Sequence, residues 1–183
     1  MAVLLNETSN LRLRVSLTSR LSDGIERPAA LAMDVAVERY KPIASGDPGA
    51  HRFVPMLAFA GKPLLDLDLI QFFEAMDALL RRPAEAPPLA VLEASTEASL
   101  ALRIAPAPTQ HTGTAATFLV EIGIDLSALL EPVGGAGSPA GTDLALFRFP
   151  VTGPGVTAFY RALLEEFAGF PTDPSLVLAG RPD

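Results

Sequence analysis

Alternating apolar and polar positions predict strands in the first sixty residues. From Leu11 to Leu17 every second residue is apolar, and the same period of two returns from Leu31 to Val37. Such alternation is typical of a strand with one buried and one solvated face. A shorter apolar run from Phe53 to Phe59 contains Pro55. It predicts an edge or irregular strand, because proline cannot donate to a β-ladder. Gly61 to Pro63 predicts its end.

The apolar period then changes to three and four residues, which predicts a helix over residues 66–82. Its stripe consists of Leu69, Phe72, Phe73, Met76, Leu79 and Leu80. Asp66 and Asp68 stand at the start, where carboxylates cap free N–H groups and suit the positive end of the helix dipole. Pro83 ends the helix. We therefore expect one packed face, with Phe72, Phe73 and Met76 in the core.

The second half of the chain repeats this order of strands followed by a helix. Strands are predicted over residues 89–94, 99–105, 117–126 and 143–149, and a second amphipathic helix over residues 155–168. Runs of strands interrupted by single helices favour an α+β fold. We expect a mainly antiparallel sheet of about six to seven strands with the two amphipathic helices on one face.

Residues 1–168 are predicted to form a single domain, and residues 169–183 a proline-rich C-terminal tail. The two halves, residues 11–82 and 89–168, also resemble each other weakly. Both helices contain an aromatic pair followed by Ala and a large apolar residue, in Phe72–Met76 and in Phe159–Leu163. This similarity has two interpretations: an internal duplication, or two helices that need the same stripe because they pack on one sheet face.

Composition narrows the class of protein. The 183 residues are 49% hydrophobic and 19% charged, enough for one sizeable core. With no cysteine there is no disulfide, thiolate nucleophile or cysteine-ligated metal. No secretory signal or membrane-spanning pattern is present in the sequence, which predicts a cytoplasmic protein without a membrane partner.

The net charge of −7 is concentrated in the second half. Residues 1–91 hold 10 basic and 11 acidic side chains, whereas residues 92–183 hold 4 basic and 10 acidic ones. Nucleic-acid binding requires a basic face, so it is not expected here. The acidic half instead favours a basic protein partner or a role in solubility.

Several residues invite a search for chemistry. His51 and His111 lie in predicted loops without a companion at a metal-ligand spacing. Asp66 and Asp68 could bind a hard cation, but helix capping accounts for both. The run Gly134–Ser138 could cradle a phosphate, yet it has no lysine and precedes a strand instead of a helix. We therefore expect no cofactor or metal, and a protein that is not an enzyme.

The remaining candidates are four carboxylates of the acidic half: Glu93, Glu97, Glu121 and Asp125. By strand parity Glu121 and Asp125 share the polar face of one strand. They form either an ordinary solvated sheet face or a surface directed at a basic partner. On the second interpretation these four residues bind the partner.

The order of elements, the helix Leu69–Leu80 and the segment Phe147–Pro150 before the last helix together resemble bacterial immunity proteins of the WapI type. This resemblance implies a cytoplasmic, non-enzymatic protein that neutralises a cognate toxin domain. The chain has no tryptophan, a residue characteristic of that family, and no binding residue is carried over. The alternative is a structural or assembly subunit of a larger bacterial complex, supported by low charge and many Ala and Pro residues. A homo-oligomer is compatible with both.

Truncation of Phe73 tests the predicted core stripe. Phe73→Ala should lower the free energy of unfolding by about 3–5 kcal/mol, because it removes a buried aromatic ring and leaves a cavity. Urea melts measure this loss. A loss below about 1 kcal/mol would show that the stripe is exposed.

Overall fold

The computed structural model describes residues 1–21, 30–42, 51–81, 89–93, 100–107, 117–125 and 144–170. Several features singled out in the sequence lie outside these ranges. They are Glu97, His111, the run Gly134–Ser138 and all of the predicted tail beyond Phe170.

Each half of the chain forms four strands followed by one helix. The first half consists of β1 (Ala2–Leu5), β2 (Leu11–Leu21), β3 (Ala30–Pro42), β4 (His51–Leu65) and α1 (Asp66–Arg81). The second consists of β5 (Ala90–Glu93), β6 (Leu100–Pro106), β7 (Thr117–Asp125), β8 (Leu144–Thr152) and α2 (Gly153–Ala168). Strands β1 to β4 pair in chain order as the first sheet, and β5 to β8 as the second sheet, with all pairs antiparallel.

The predicted α+β class with antiparallel pairing is confirmed, but the prediction of one sheet of six to seven strands is wrong. The described strands number eight and form two sheets. Helix α1 separates β4 from β5 and packs against β5, so the second meander begins a new sheet. The added strand is β1, which at four residues is too short to display a convincing period of two.

The inner faces of the two sheets meet in one core. Buried side chains from both sheets and both helices form a single cluster. A residual cavity of about 10 Å³ lies between the sheets. Its walls are Leu13, Val15, Met33 and Val35 from the first sheet and Leu92, Leu100, Leu102 and Ile122 from the second. The polar positions of each strand therefore lie on an outer face.

Each helix packs mainly on the sheet that belongs to the other half. Helix α1 lies against β5, and α2 lies against β1 and β2. The expectation that both helices lie on one face of one sheet is therefore wrong. The helices touch through Phe73, whose ring centroid lies 6.0 Å from that of Tyr160 and 5.5 Å from that of Phe167. Phe73 is only 7% exposed and Phe72 and Met76 are fully buried, which confirms them as core residues.

The start of α1 is fixed by the two predicted carboxylates, in different ways. Asp68 Oδ2 accepts a hydrogen bond from the Leu65 backbone N–H at 3.2 Å, as expected of a capping residue. Asp66 is buried, and both of its oxygens lie 2.7 Å from Arg20 Nη1. Arg20 also donates through Nη2 to the Phe170 carbonyl at 3.1 Å. This ion pair joins β2, the start of α1 and the residues after α2.

Strand β4 does not end at Gly61–Pro63 as predicted. It continues to Leu65 through an irregularity, where the register with β3 shifts between Met33 and Val35. Gly61 has φ +67° and donates its N–H to Asp34 Oδ1 at 2.8 Å. Glycine suits this left-handed conformation because it has no Cβ. The glycine that predicted a break thus forms a bulge.

Corresponding positions of the two sheets carry similar residues. Strand β1 reads Ala-Val-Leu-Leu and β5 reads Ala-Val-Leu-Glu. Ala2 faces Val15 and Leu4 faces Leu13 in the first sheet, as Ala90 faces Ile104 and Leu92 faces Leu102 in the second. Arg14 and Arg103 occupy the intervening outer positions of β2 and β6. The first two strands of the two meanders therefore match in register along the whole of β1 and β5.

Separation of the two halves tests whether each helix needs the sheet of the other half. A fragment of residues 1–85 should not unfold cooperatively on its own, because α1 would lose β5 and the first sheet would lose α2. A mixture with residues 86–183 should restore a cooperative transition in thermal circular dichroism. Cooperative melting of either fragment alone would contradict the shared core.

Candidate functional site: the outer faces of the two sheets

The outer face of the second sheet is crossed by a row of paired charges. Glu121 on β7 stands opposite Arg103 on β6 and Arg148 on β8. Its Oε1 accepts from Arg103 Nη1 at 3.0 Å, and its Oε2 accepts from Arg148 Nε at 3.0 Å. These hydrogen bonds, with Arg148 the stronger contributor, hold the pKa of the Glu121 carboxyl below its ordinary value of 4.5.

The four predicted partner-binding carboxylates have different surroundings. Glu93 ends β5 in an exposed position opposite Ala101, one row along the outer face from the row of Glu121. Glu121 is on the predicted polar face, but two arginines already offset its charge. Asp125 is the last residue of β7, opposite Leu144. Glu97 lies outside the described residues.

The outer face of the first sheet has a comparable charge cluster near one end. Glu38 on β3 is buried, at 4% exposure, and accepts from Arg12 Nε at 2.5 Å. Arg14 Nη2 lies 3.3 Å from the other oxygen of Glu38. The Arg12 guanidinium also lies 4.0 Å above the centre of the Phe53 ring, an arrangement typical of a cation–π contact. A buried carboxylate requires such partners, because an unpaired buried charge is costly.

Next to this cluster lies a groove of about 370 Å³, which we call the outer groove. Its polar side chains are Arg14, Ser16 and Asp34, and its small ones are Ala36, Ala58 and Ala60. Met1, Val35 and Phe59 complete the lining, and the ammonium group of Met1 is paired with Glu166. Ala36 faces Arg14 on one side and Ala58 on the other. The outer groove therefore spans three adjacent strands, β2, β3 and β4.

The outer groove exists because of a difference between the two sheets. The row Arg14–Ala36–Ala58 of the first sheet corresponds in register to the row Arg103–Glu121–Arg148 of the second. In the second sheet three long charged side chains cover the backbone. In the first, two of these positions are alanine, and the methyl groups leave the sheet surface open.

The described residues contain neither a cluster of metal ligands nor a helix that could span a membrane. Within them, no group of three or more His, Asp or Glu side chains is placed to bind a metal. His51 begins β4, and His111 is not among them. The two described helices are both too short to span a bilayer.

Sequence reasoning did not identify the outer groove. The alternation in β3 correctly placed Asp34, Ala36 and Glu38 on one face. The signal that was missing is the register of β2 and β4 against β3, which brings Arg14 and Ala58 to the two sides of Ala36. Alternation does not encode that register, because sliding one strand by two residues leaves the same side chains on the same face of the sheet.

Comparison with known proteins identified no relative of this chain. No protein family, curated protein or solved structure matches this chain.

The pairing of Glu121 predicts a specific response to acid. Because its pKa is lowered in the folded protein, Glu121 contributes stability that is present above pH 4.5 and is lost as the pH falls below that value. Glu121→Gln should reduce the free energy of unfolding at pH 7 by no more than about 1 kcal/mol, since both arginines are partly exposed to solvent, which screens the ion pairs. It should lose less further stability than the wild type between about pH 5 and pH 3.

Urea melts across this pH range measure the difference. Glu93→Gln is the matched control, because it makes the same change at an exposed strand carboxylate that has no ion pair among the described residues. An identical pH dependence for Glu121→Gln and the wild type would contradict the assigned pairing.

Proposed function

We propose that the protein is a non-enzymatic, cytoplasmic protein-binding module and that the outer groove is its contact surface. The observation that carries this proposal is the open surface across β2, β3 and β4, where alanines replace the charged row of the second sheet. Stable protein interfaces need surface that is not already engaged within the molecule. In the second sheet the corresponding positions are occupied by intramolecular ion pairs.

An internal duplication supports this interpretation. We infer that the two halves derive from one four-strand-and-helix unit, because their strands match in register and in residue type at the positions given above. Divergence at Ala36 and Ala58 then separates a structural outer face from an open one. On this inference the apolar stripes of α1 and α2 are similar because both helices derive from the same ancestral unit.

The partner class follows from charge and from the resemblance to immunity proteins. A net charge of −7 favours a basic partner, because it increases the association rate with positively charged proteins. Immunity proteins of the WapI type bind toxin domains, and neutralisation of such a toxin is the specific form of the proposal. Glu93 is the exposed carboxylate of the second sheet whose charge is not offset by an ion pair among the described residues.

Self-assembly is the second candidate, and the shape of the second sheet favours it. Leu146 and Arg148 project from the edge strand β8 at 49% and 57% exposure. We infer that such a ridge of one copy could enter the outer groove of another. A contact of this kind is heterologous and would form rings or filaments.

Closure of the outer groove tests the proposed function. Ala58→Arg introduces a long charged side chain at an exposed position of the groove, whereas Ala78→Arg makes the same change on the exposed side of α1. A partner captured from the native host would be purified and its binding measured by calorimetry. We expect Ala58→Arg to weaken binding at least about tenfold, a loss of about 1.4 kcal/mol, and Ala78→Arg to leave it unchanged.

Two outcomes would contradict the proposal. One is a purified partner that binds both variants like the wild type, which would place the contact elsewhere. The other is concentration-dependent association of the wild-type protein alone that Ala58→Arg abolishes, which would favour self-assembly. Sedimentation of the wild type and both variants distinguishes these cases.

A further inference from the structure

Asp34 differs from Glu38 and Glu121, the other carboxylates at the middle of the outer faces. Its Oδ1 accepts from the Gly61 N–H at 2.8 Å. Within the described ranges, Oδ2 receives no hydrogen bond and no cationic side chain pairs with the carboxylate. By contrast, Glu38 and Glu121 are each held by two arginines. Asp34 thus carries a half-buried negative charge whose counterion is missing from this part of the chain.

The arginine of the outer groove does not supply that counterion. Along β3, Glu38 and Asp34 lie on opposite sides of Ala36, and Arg14 stands opposite Ala36. The Arg14 guanidinium reaches Glu38, with Nη2 at 3.3 Å from Oε1. It therefore extends away from Asp34. The outer groove has an arginine engaged at one end and, at the other, a carboxylate with no ionic partner in the described part of the chain.

The surface between these ends is apolar and shallow. Ala36 is buried within the sheet face, and Ala58 and Ala60 are exposed beside it. Their methyl groups form a floor along which an aliphatic chain could lie without displacing a polar group. A lysine or arginine side chain has this construction, since its methylene stem covers apolar surface while its cationic end seeks a carboxylate.

We propose that the outer groove receives a lysine or arginine side chain of a protein partner, with the cation bound by Asp34 and the stem lying on Ala36, Ala58 and Ala60. The argument is charge complementarity: a carboxylate that has no ionic partner among the described residues lies in a groove on a protein of net charge −7. This inference rests on the proposed protein-binding function and names the contact that would carry it. The Ser16 hydroxyl, also in the groove, is a further acceptor within the same site.

The test uses a defined probe and the full-length protein. N-acetyl-lysine N-methylamide carries the cation without charged termini, and the norleucine analogue is the same stem without the cation. Two-dimensional ¹H–¹⁵N NMR follows the amides of Ser16, Ala36 and Gly61. The Gly61 amide is the most direct reporter, because it donates to Asp34.

We expect the lysine probe to shift these three amides in a saturable manner, and the norleucine probe to shift them much less. Asp34→Asn retains an oxygen that can accept from Gly61 but removes the charge, and should weaken lysine binding by up to about fivefold. Asp77→Asn is the control on α1: it makes the same change at a half-exposed carboxylate that is already paired with Arg81. It should leave the titration unchanged.

Three results would overturn the inference. The lysine probe could leave the three amides unmoved, or shift them equally in the wild type and in Asp34→Asn. The amides of the outer groove could also shift with protein concentration before any probe is added, which would identify a second copy of the chain as the occupant.

Failure of this inference is distinguishable from failure of the proposed function. A purified partner that binds Asp34→Asn as tightly as the wild type, yet is blocked by Ala58→Arg, would overturn the lysine contact and leave the protein-binding function in place. Saturable lysine binding at Asp34 with no protein partner would support the contact chemistry and remove the proposed function.

Discussion

The exchange of helices between the two sheets is the constraint on which the rest of the structure depends. Each four-strand meander has an apolar inner face, and the helix that follows it in the chain packs mainly on the other sheet. Helix α2 packs on β1 and β2. Strand β1 pairs with β2 only as far as Val15, and beyond that point the Leu17 N–H donates to Glu166 Oε2 of α2 at 2.8 Å. Phe73 joins the two helices through Tyr160 and Phe167. The result is one continuous core, in which neither half is complete without the other.

Buried ion pairs reinforce this exchange at a few positions. Asp66 is nearly inaccessible to solvent and relies on Arg20, which also holds the Phe170 carbonyl after α2. Removal of Arg20 would be destabilising, because it would leave the charge of the buried Asp66 without a partner. This interaction therefore fixes the ends of both helices against β2. Glu38, held by Arg12 and Arg14, has a similar role on the outer face of the first sheet.

With the inner faces committed to the core, the outer faces are the surfaces available for binding. The second sheet fills its central row with Arg103, Glu121 and Arg148, whose charges are mutually satisfied. The first sheet has Ala36 and Ala58 at the corresponding positions, and Asp34 lies beside them without an ionic partner among the described residues. The two sheets thus differ at equivalent positions: charged side chains cover the outer face of the second sheet, and alanines leave that of the first sheet open.

The local pattern of apolar residues determined the α+β class, seven of the eight described strands and both helices. It also determined the burial of Phe72, Phe73 and Met76. It could do so because the periods of two and 3.6 residues are local properties of the backbone. It also placed Glu121 on a polar strand face. The tertiary structure decided the division into two sheets, the exchanged helices, the pairing of Glu121 with two arginines and the outer groove. These depend on which strand edges pair and in what register, and residues that are neighbours across a sheet can be dozens of positions apart along the chain. The physical reason is that alternation specifies which side of a strand is buried, whereas only the assembled sheet specifies which side chains stand next to each other.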